Sequence, residues 1–130
     1  LNEAASKGNI EAVKQHLAAG TDVNTKDDDE YTPLHSATIE GRREVAELLI
    51  SQGANVNAKN KLGSTPLHVA AYMKFDLAEL LIAKGADVNA RNNKDSTPLD
   101  WAIRIKNTRT IDLLRKHGGK TKKELEAAGN

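Results

Sequence analysis

Four histidines are the residues of this sequence with the most versatile chemistry, because a neutral imidazole can act as a general base or bind a metal. They stand at His16, His35, His68 and His117, and the sequence has no cysteine. No two of them have the i, i+4 spacing that places two ligands on one helix face, and no cluster of carboxylates accompanies them. We therefore predict no catalytic residue, no cofactor and no metal site.

The serines and glycines also lack the settings in which they do chemistry. No serine lies in a sequence of the nucleophile-elbow type. The glycines are spread at regular intervals near helix ends, whereas a phosphate-binding loop would group them. The sequence therefore predicts a protein that is not an enzyme.

Charged residues concentrate in two short stretches. The run Asp27–Glu30 lacks the alternating ligands and the terminal bidentate glutamate of a calcium loop, so we interpret it as a solvated hairpin tip. In a functional interpretation, this acidic patch attracts a basic partner. The basic stretch from Arg115 to Lys123 has no interleaved aromatic residues and is followed by Glu124 and Glu126. That pattern favours a solvated helix end over a nucleic-acid site.

The overall composition excludes several classes of partner. With 19 basic and 18 acidic residues, the net charge of +1 produces no global field that would recruit nucleic acid or a membrane. No apolar run approaches the roughly 18 residues that span a bilayer. The 130 residues correspond to about one domain. We expect a soluble monomer, with an intracellular location favoured.

A tetrapeptide recurs at a nearly constant step. Thr32-Pro33-Leu34-His35 returns as Thr65-Pro66-Leu67-His68, and then as Thr97-Pro98-Leu99-Asp100, at steps of 33 and 32 residues. Four glycines that follow Leu/Ile-rich stretches keep the same step, namely Gly20, Gly53, Gly85 and Gly118. A period in this range indicates a stack of small units that share one core.

Each unit reads as two helices and a loop. Thr32 is suited to cap a helix N-terminus, and the proline after it has its φ already at the helical value. A first helix is predicted over Leu34–Glu40, a turn at Gly41, and a second helix through Val45–Ile50. Gly53 then ends the second helix in the left-handed conformation. One such unit cannot bury both of its faces, so it must stack on neighbours.

The unit resembles the ankyrin repeat. The resemblance is carried by the tetrapeptides, by the Ala-Glu-Leu-Leu-Ile stretches at Ala46–Ile50 and Ala78–Ile82, and by the Gly-Ala-Asn/Asp-Val-Asn loops that begin at Gly53 and Gly85. It covers residues 1–119 and implies an all-α solenoid of four helix-turn-helix repeats with hairpin-like connecting loops. It also implies a structural, hydrogen-bonded role for the tetrapeptide histidine. The repeats fall at about 1–26, 27–59, 60–91 and 92–119, followed by a tail over 120–130.

The first and last repeats are more polar than the interior ones. Gln15 and His16 stand where the second repeat has leucines, and Arg115 stands where the second and third have isoleucine. Terminal repeats need such polar outer faces for solubility, so we expect a complete array of four. We also expect a short helix over Thr121–Ala128 that covers the last repeat, with Leu125 as its anchor.

Two features depart from the family pattern. Glu30 and Asp95 stand at the hairpin-tip position where Gly63 stands, and a left-handed residue other than glycine costs about 1 kcal/mol there. The third repeat is one residue short, so its turn around Met73–Asp76 is expected to be irregular. These departures favour a natural sequence over an ideal designed one.

The resemblance places the partner-binding residues at the hairpin tips and on the exposed side of each inner helix, which together form a concave face. In this chain these positions hold Lys26, Asp28, Asp29, Tyr31, Ile39, Glu40, Lys59, Lys61, Leu62, Ser64, Tyr72, Met73, Arg91, Asn93, Lys94, Ser96, Arg104 and Ile105. The two tyrosines and Leu62 are predicted anchors, because exposed aromatic and apolar residues are typical of interfaces. For Ile39, Met73 and Ile105, partial burial against neighbouring helices is an equally good interpretation.

The predicted function is therefore a non-catalytic module that binds a partner protein through its concave face. Two alternatives stay open: a generic or designed repeat scaffold without an evolved partner, and a regulatory ankyrin domain that controls an attached or associated enzyme. The resemblance also makes Asn57 and Asn89 candidates for asparagine hydroxylation, since each follows a valine in its loop. A structural role for a loop asparagine explains the same two residues.

Overall fold

The computed structural model describes residues 1–73 and 76–129. Within them the chain forms α1 (Asn2–Lys7), α2 (Ile10–Ala18), α3 (Pro33–Ile39), α4 (Arg43–Ser51), α5 (Pro66–Met73), α6 (Ala78–Ala83), α7 (Pro98–Arg104), α8 (Thr108–Lys116) and α9 (Lys122–Ala127). No strand occurs in these residues, and none of their helices is long and apolar enough to cross a membrane. The predicted all-α fold class is confirmed.

The helices form two layers. The inner helices α1, α3, α5 and α7 each contact the next inner helix in the series, and each also packs against the outer helix that follows it, namely α2, α4, α6 or α8. Leucines fill the space between the layers, and alanines let the inner helices approach closely: Leu34, Leu67 and Leu99, like Ala37, Ala70 and Ala102, have no exposed surface. The core is thus one continuous stack, as the repeat pattern predicts.

The inner helices begin where their capping threonines predict. The Thr32 hydroxyl accepts a hydrogen bond from the backbone N–H of His35, and His35 Nδ1 accepts one from the backbone N–H of Thr32. Thr97 and Asp100 form the same reciprocal pair at the start of α7. Each pair satisfies two backbone donors that a bare helix end would leave without partners.

The outer helices end at left-handed glycines. Gly53 has φ of 94°, and the next residue, Ala54, donates its backbone N–H to Leu49 O at 2.9 Å. This is the hydrogen bond of a Schellman cap. Glu30 and Asp95 are also left-handed, with φ of 64° and 60°. Lys106, with φ of 58°, is a third such residue, and it stands where the second repeat has Gly41.

The first and last repeats differ in what contacts their outer helices. Gln15 and His16 are exposed, whereas Leu49, at the position of His16 in the next repeat, is fully buried. Arg115 is exposed as well, but its guanidinium contacts Glu124 of α9 at 2.7 Å. No pattern in the sequence predicts this ion pair. The Leu125 side chain is buried beneath α9. The irregular turn expected in the third repeat includes Lys74 and Phe75, which lie outside the described residues.

Candidate partner-binding surface

A cleft of about 390 Å³ opens on the side of the inner helices, between the second and fourth repeats. It is lined by Tyr31, Ile39, Asn60, Leu62, Ser64, Val69, Tyr72, Met73, Trp101 and Arg104. All but three of these residues are among the predicted partner-binding positions. The structure therefore brings the central part of the predicted set together in one place.

The three lining residues missed by sequence analysis are Asn60, Val69 and Trp101. Val69 and Trp101 each lie three residues before a predicted position, Tyr72 or Arg104. Residues three or four apart share one face of a helix, so helical spacing would have identified both. Asn60 carried no such signal, because it lies in a loop.

The exposure of the cleft residues varies widely. Leu62 is 64% exposed, Tyr72 47% and Met73 37%. Ile39 and Ile105 are half-buried, which agrees with the structural interpretation of these two residues. Together, the exposed members form an apolar surface that faces solvent.

Ser64 contradicts its predicted placement on the exposed side. It is only 1% exposed and lies at the base of the cleft, and its hydroxyl has no hydrogen-bond partner among the described residues. The rings beside this position are arranged differently in the second and third repeats. In the second repeat Tyr31 packs edge-on against His35, with ring centroids 5.6 Å apart. In the third repeat the equivalent ring, that of His68, packs instead against Trp101 of the following repeat.

Trp101 can pack against the His68 ring because the third repeat has Ser64 where the second repeat has Tyr31. Its ring centroid lies 5.1 Å from that of His68 and 5.7 Å from that of Tyr72, both in edge-on geometry. Such aromatic pairs add about 0.5–1.5 kcal/mol beyond the area they bury. Tyr72 and Trp101 thus form one wall of the cleft.

The buried histidines have the structural role that the resemblance implies. His35 Nε2 donates to Ser64 O at 2.9 Å and His68 Nε2 donates to Ser96 O at 2.8 Å, while each Nδ1 accepts from a threonine backbone N–H. Each ring is therefore held neutral. Burial lowers the pKa of His35, and it lowers the pKa of His68 to about 4.

His16, in α2, and His117, directly after α8, are both exposed, and neither lines the cleft. Within residues 1–73 and 76–129, no group of three His, Asp or Glu side chains is arranged to hold a metal ion.

The acidic run is a hairpin tip held by its first residue. Asp27 Oδ1 accepts hydrogen bonds from the backbone N–H groups of Asp29 and Tyr31, both at 2.9 Å. Asn60 and Asn92 do the same in the next two tips. Because the Asp27 carboxylate binds its own backbone, the hairpin interpretation is confirmed.

Two of the predicted cations connect neighbouring tips. Lys26 Nζ donates to Lys59 O at 3.1 Å, and Lys59 Nζ donates to Arg91 O at 3.0 Å. These lysines lie along the loops and outside the cleft. The other predicted residues that do not line the cleft are Asp28, Asp29, Glu40, Lys61, Asn93 and Lys94, which are exposed, and Arg91, Ser96 and Ile105, which are half-buried.

Asn57 and Asn89 bridge successive loops with both ends of their amides. Asn57 Nδ2 donates to Gly85 O at 3.2 Å, and Asn57 Oδ1 accepts from the backbone N–H of Asp87 at 2.7 Å. Asn89 forms the equivalent pair with Gly118 and Lys120. The structural explanation of these asparagines thus has a specific geometry, and their hydroxylation stays a prediction.

Comparison with known families agrees with this architecture. A model described as ankyrin repeats in three copies matches residues 1–92, and a model described as ankyrin repeats in many copies matches residues 73–115. The chain therefore belongs to the ankyrin repeat family. Members of this family are generally protein–protein interaction modules and are generally not enzymes. No individual curated protein matches the chain.

Proposed function

We propose that this chain is a non-catalytic module that binds a partner protein through its concave face, with Tyr31, Leu62 and Tyr72 as anchors. The observation that carries the proposal is the open cleft, in which Leu62 is 64% exposed and Tyr72 is 47% exposed. Apolar side chains held in water by a folded scaffold mark a surface that gains free energy when a partner covers it.

The charges around the cleft support a polarised partner. Asp28 and Asp29 are exposed at the tip of the second repeat, and Lys94 and Arg104 are exposed in the fourth. A partner with a basic part near the second repeat and an acidic part near the fourth would be steered into register by these charges.

An affinity pull-down from the source lysate tests the proposal. Wild-type protein is compared with a Tyr31→Ala/Tyr72→Ala variant and with Leu62→Ala. Ile103→Ala is the matched control, because Ile103 is also an exposed apolar residue, at 43%, but does not line the cleft. We expect a partner that wild type and the control retain and that both cleft variants lose.

Circular dichroism of each variant is needed beside the pull-down, since Tyr31 and Tyr72 also pack against other rings. Binding that survives both cleft variants but is lost when Glu47 or Glu79 on the outer helices is changed would contradict the concave-face proposal.

A further inference from the structure

We infer that the cleft receives a short linear segment of the partner, in which a large apolar side chain lies close to an aspartate or glutamate. This inference rests on the proposed function, since it concerns the segment that the same surface recognises. It follows from the size, lining and charge of the cleft.

The size of the cleft suits a few side chains. At about 390 Å³ it lies at the lower end of the roughly 300–1,000 Å³ of ligand pockets, so it admits a short piece of chain and not a whole domain. Ser64 at its base contributes to this space, because a tyrosine stands at the equivalent position of the preceding repeat. The Ser64 hydroxyl, which no other described residue binds, also makes the base polar at one point.

The lining selects an apolar side chain. Tyr72 and Trp101 form an aromatic wall, and Leu62 and Met73 are exposed beside it. A leucine, methionine or aromatic residue would bury apolar area on all of them and would find ring edges and faces to pack against.

The charge of the cleft selects an acidic neighbour. Arg104 alone is charged among the described residues that line it, and no described carboxylate pairs with its guanidinium. The nearby carboxylate of Asp100 is already used by the backbone N–H groups of Thr97 and Lys122. A guanidinium beside an apolar wall is well suited to bind a carboxylate through two parallel hydrogen bonds.

The acidic tip decides where the carboxylate lies. Asp28 and Asp29 would repel an acidic group near the second repeat, whereas Arg104 in the fourth attracts it. The carboxylate of the segment is therefore placed at the fourth-repeat end of the cleft, beyond the apolar side chain.

Selection of random linear peptides displayed on phage against the immobilised full chain tests the inference. We expect the enriched peptides to carry a large apolar residue within about four positions of Asp or Glu. The dissociation constant of one such synthetic peptide is then measured by fluorescence anisotropy for each variant of the chain.

Two cleft variants have matched controls elsewhere on the surface. Leu62→Ala and Arg104→Glu should each raise the dissociation constant of the peptide roughly tenfold or more, as loss of an interface anchor does. The controls are Ile103→Ala, another exposed apolar truncation, and Lys84→Glu, a charge reversal of the same sign at the end of α6. Each should change the dissociation constant less than twofold. Replacing the acidic residue of the peptide by lysine should weaken binding to wild type and restore binding to Arg104→Glu.

Each other outcome overturns the inference in a distinguishable way. Peptides that need Leu62 and Tyr72 but are indifferent to Arg104→Glu would overturn the acidic requirement and leave concave-face binding intact. Peptides insensitive to every cleft variant would count against both proposals. Failure to enrich any peptide would overturn the linear segment, while the pull-down still tests the proposed function. Leu62-dependent dimerisation in sedimentation experiments would make a second copy of the chain the occupant.

Discussion

At the scale of single residues, His35 and His68 connect the start of one inner helix to the loop that precedes the next. Each uses both ring nitrogens, so a second proton would displace the hydrogen bond from threonine. Asp100 stands at the same position of the last tetrapeptide, and it accepts a hydrogen bond from Lys122 N where the histidines donate one to a carbonyl. Aspartate, which accepts, thus replaces histidine where the group to be bound is a backbone N–H donor and not a carbonyl.

This arrangement predicts a stability that falls in mild acid. Since burial lowers the pKa of His68 to about 4, the unfolded chain binds a proton below about pH 6.5 that the folded chain does not bind. We expect the free energy of unfolding to fall by about 2 kcal/mol between pH 7 and pH 5 from His68 alone, with a further contribution from His35 in the same direction. Urea unfolding at the two pH values measures it.

Two variants separate this effect from other titrations. His68→Gln should be less stable at pH 7 and should lose less stability on acidification, whereas His16→Gln, at an exposed site, should behave like wild type. An unfolding free energy that does not change between pH 7 and pH 5 would contradict the prediction.

The left-handed hairpin tips give a second prediction at this scale. Glu30→Gly should raise the free energy of unfolding by up to about 1 kcal/mol, because glycine adopts a φ of 64° without strain. Its exposed ion pair with Lys26 contributes little that would offset the gain. Thermal or urea unfolding measures the change, and a loss of stability would show that Glu30 makes a native contact worth more than the strain.

Gly63→Ala is the informative comparison for that variant. Gly63 is left-handed too, but a Cβ there would lie 2.8 Å from the backbone nitrogen of Asn93. Here we expect a loss of stability, since both the conformation and the available space require glycine.

At the scale of elements, α9 has the features of an inner helix although it follows α8 directly. It starts at Thr121 with the same reciprocal cap, here made with Glu124, whose pKa is lowered to about 2 by the backbone N–H of Thr121 and by Arg115. The segment before it is held by hydrogen bonds from Thr97 Oγ1 to Lys120 O and from Lys120 N to Asn89. The segment before α9 and α9 itself are thus held on the fourth repeat by these bonds and by the Arg115–Glu124 pair.

The anchor of α9 should matter more to stability than its ion pair. Leu125→Ala should lower the free energy of unfolding by about 2 kcal/mol, since the side chain is buried. Arg115→Leu should cost less than about 1 kcal/mol, because the Arg115–Glu124 pair is exposed, and should promote self-association through its new apolar surface. Urea unfolding and sedimentation velocity measure the two effects. Equal losses in both variants would contradict this, since they would mean that the ion pair stabilises α9 as much as Leu125 does.

At the scale of the whole molecule, the near-neutral net charge conceals a separation of charge along the stack. For a partner bound as proposed, Asp28→Lys and Lys94→Glu should mainly lower the association rate and its dependence on salt, because these residues lie outside the cleft. Leu62→Ala and Tyr72→Ala should instead raise the dissociation rate. Surface plasmon resonance at two salt concentrations measures both rates. Charge variants that alter only dissociation would contradict electrostatic steering.

The helix boundaries of this protein can be predicted from its sequence because local interactions determine them. Thr32, the proline after it and the four helix-ending glycines act on hydrogen bonds only three to five residues away, so their spacing predicts where helices start and stop. The repeat step then predicts the stack, since each unit must bury its faces on its neighbours. The predicted binding positions came from the resemblance to ankyrin repeats, applied in this register, and most of the cleft lining is among them.

The tertiary structure decided what depends on contacts between repeats. Ser64 was expected at an accessible position, yet it is buried, and Trp101, 37 residues later in the chain, packs against His68 beside it. Arg115 was expected on the polar outer face of the last repeat, and there α9 brings Glu124 to it. Each outcome depends on the size and reach of a side chain from another unit. Local spacing carries no record of such a contact, because it forms only once the units have stacked.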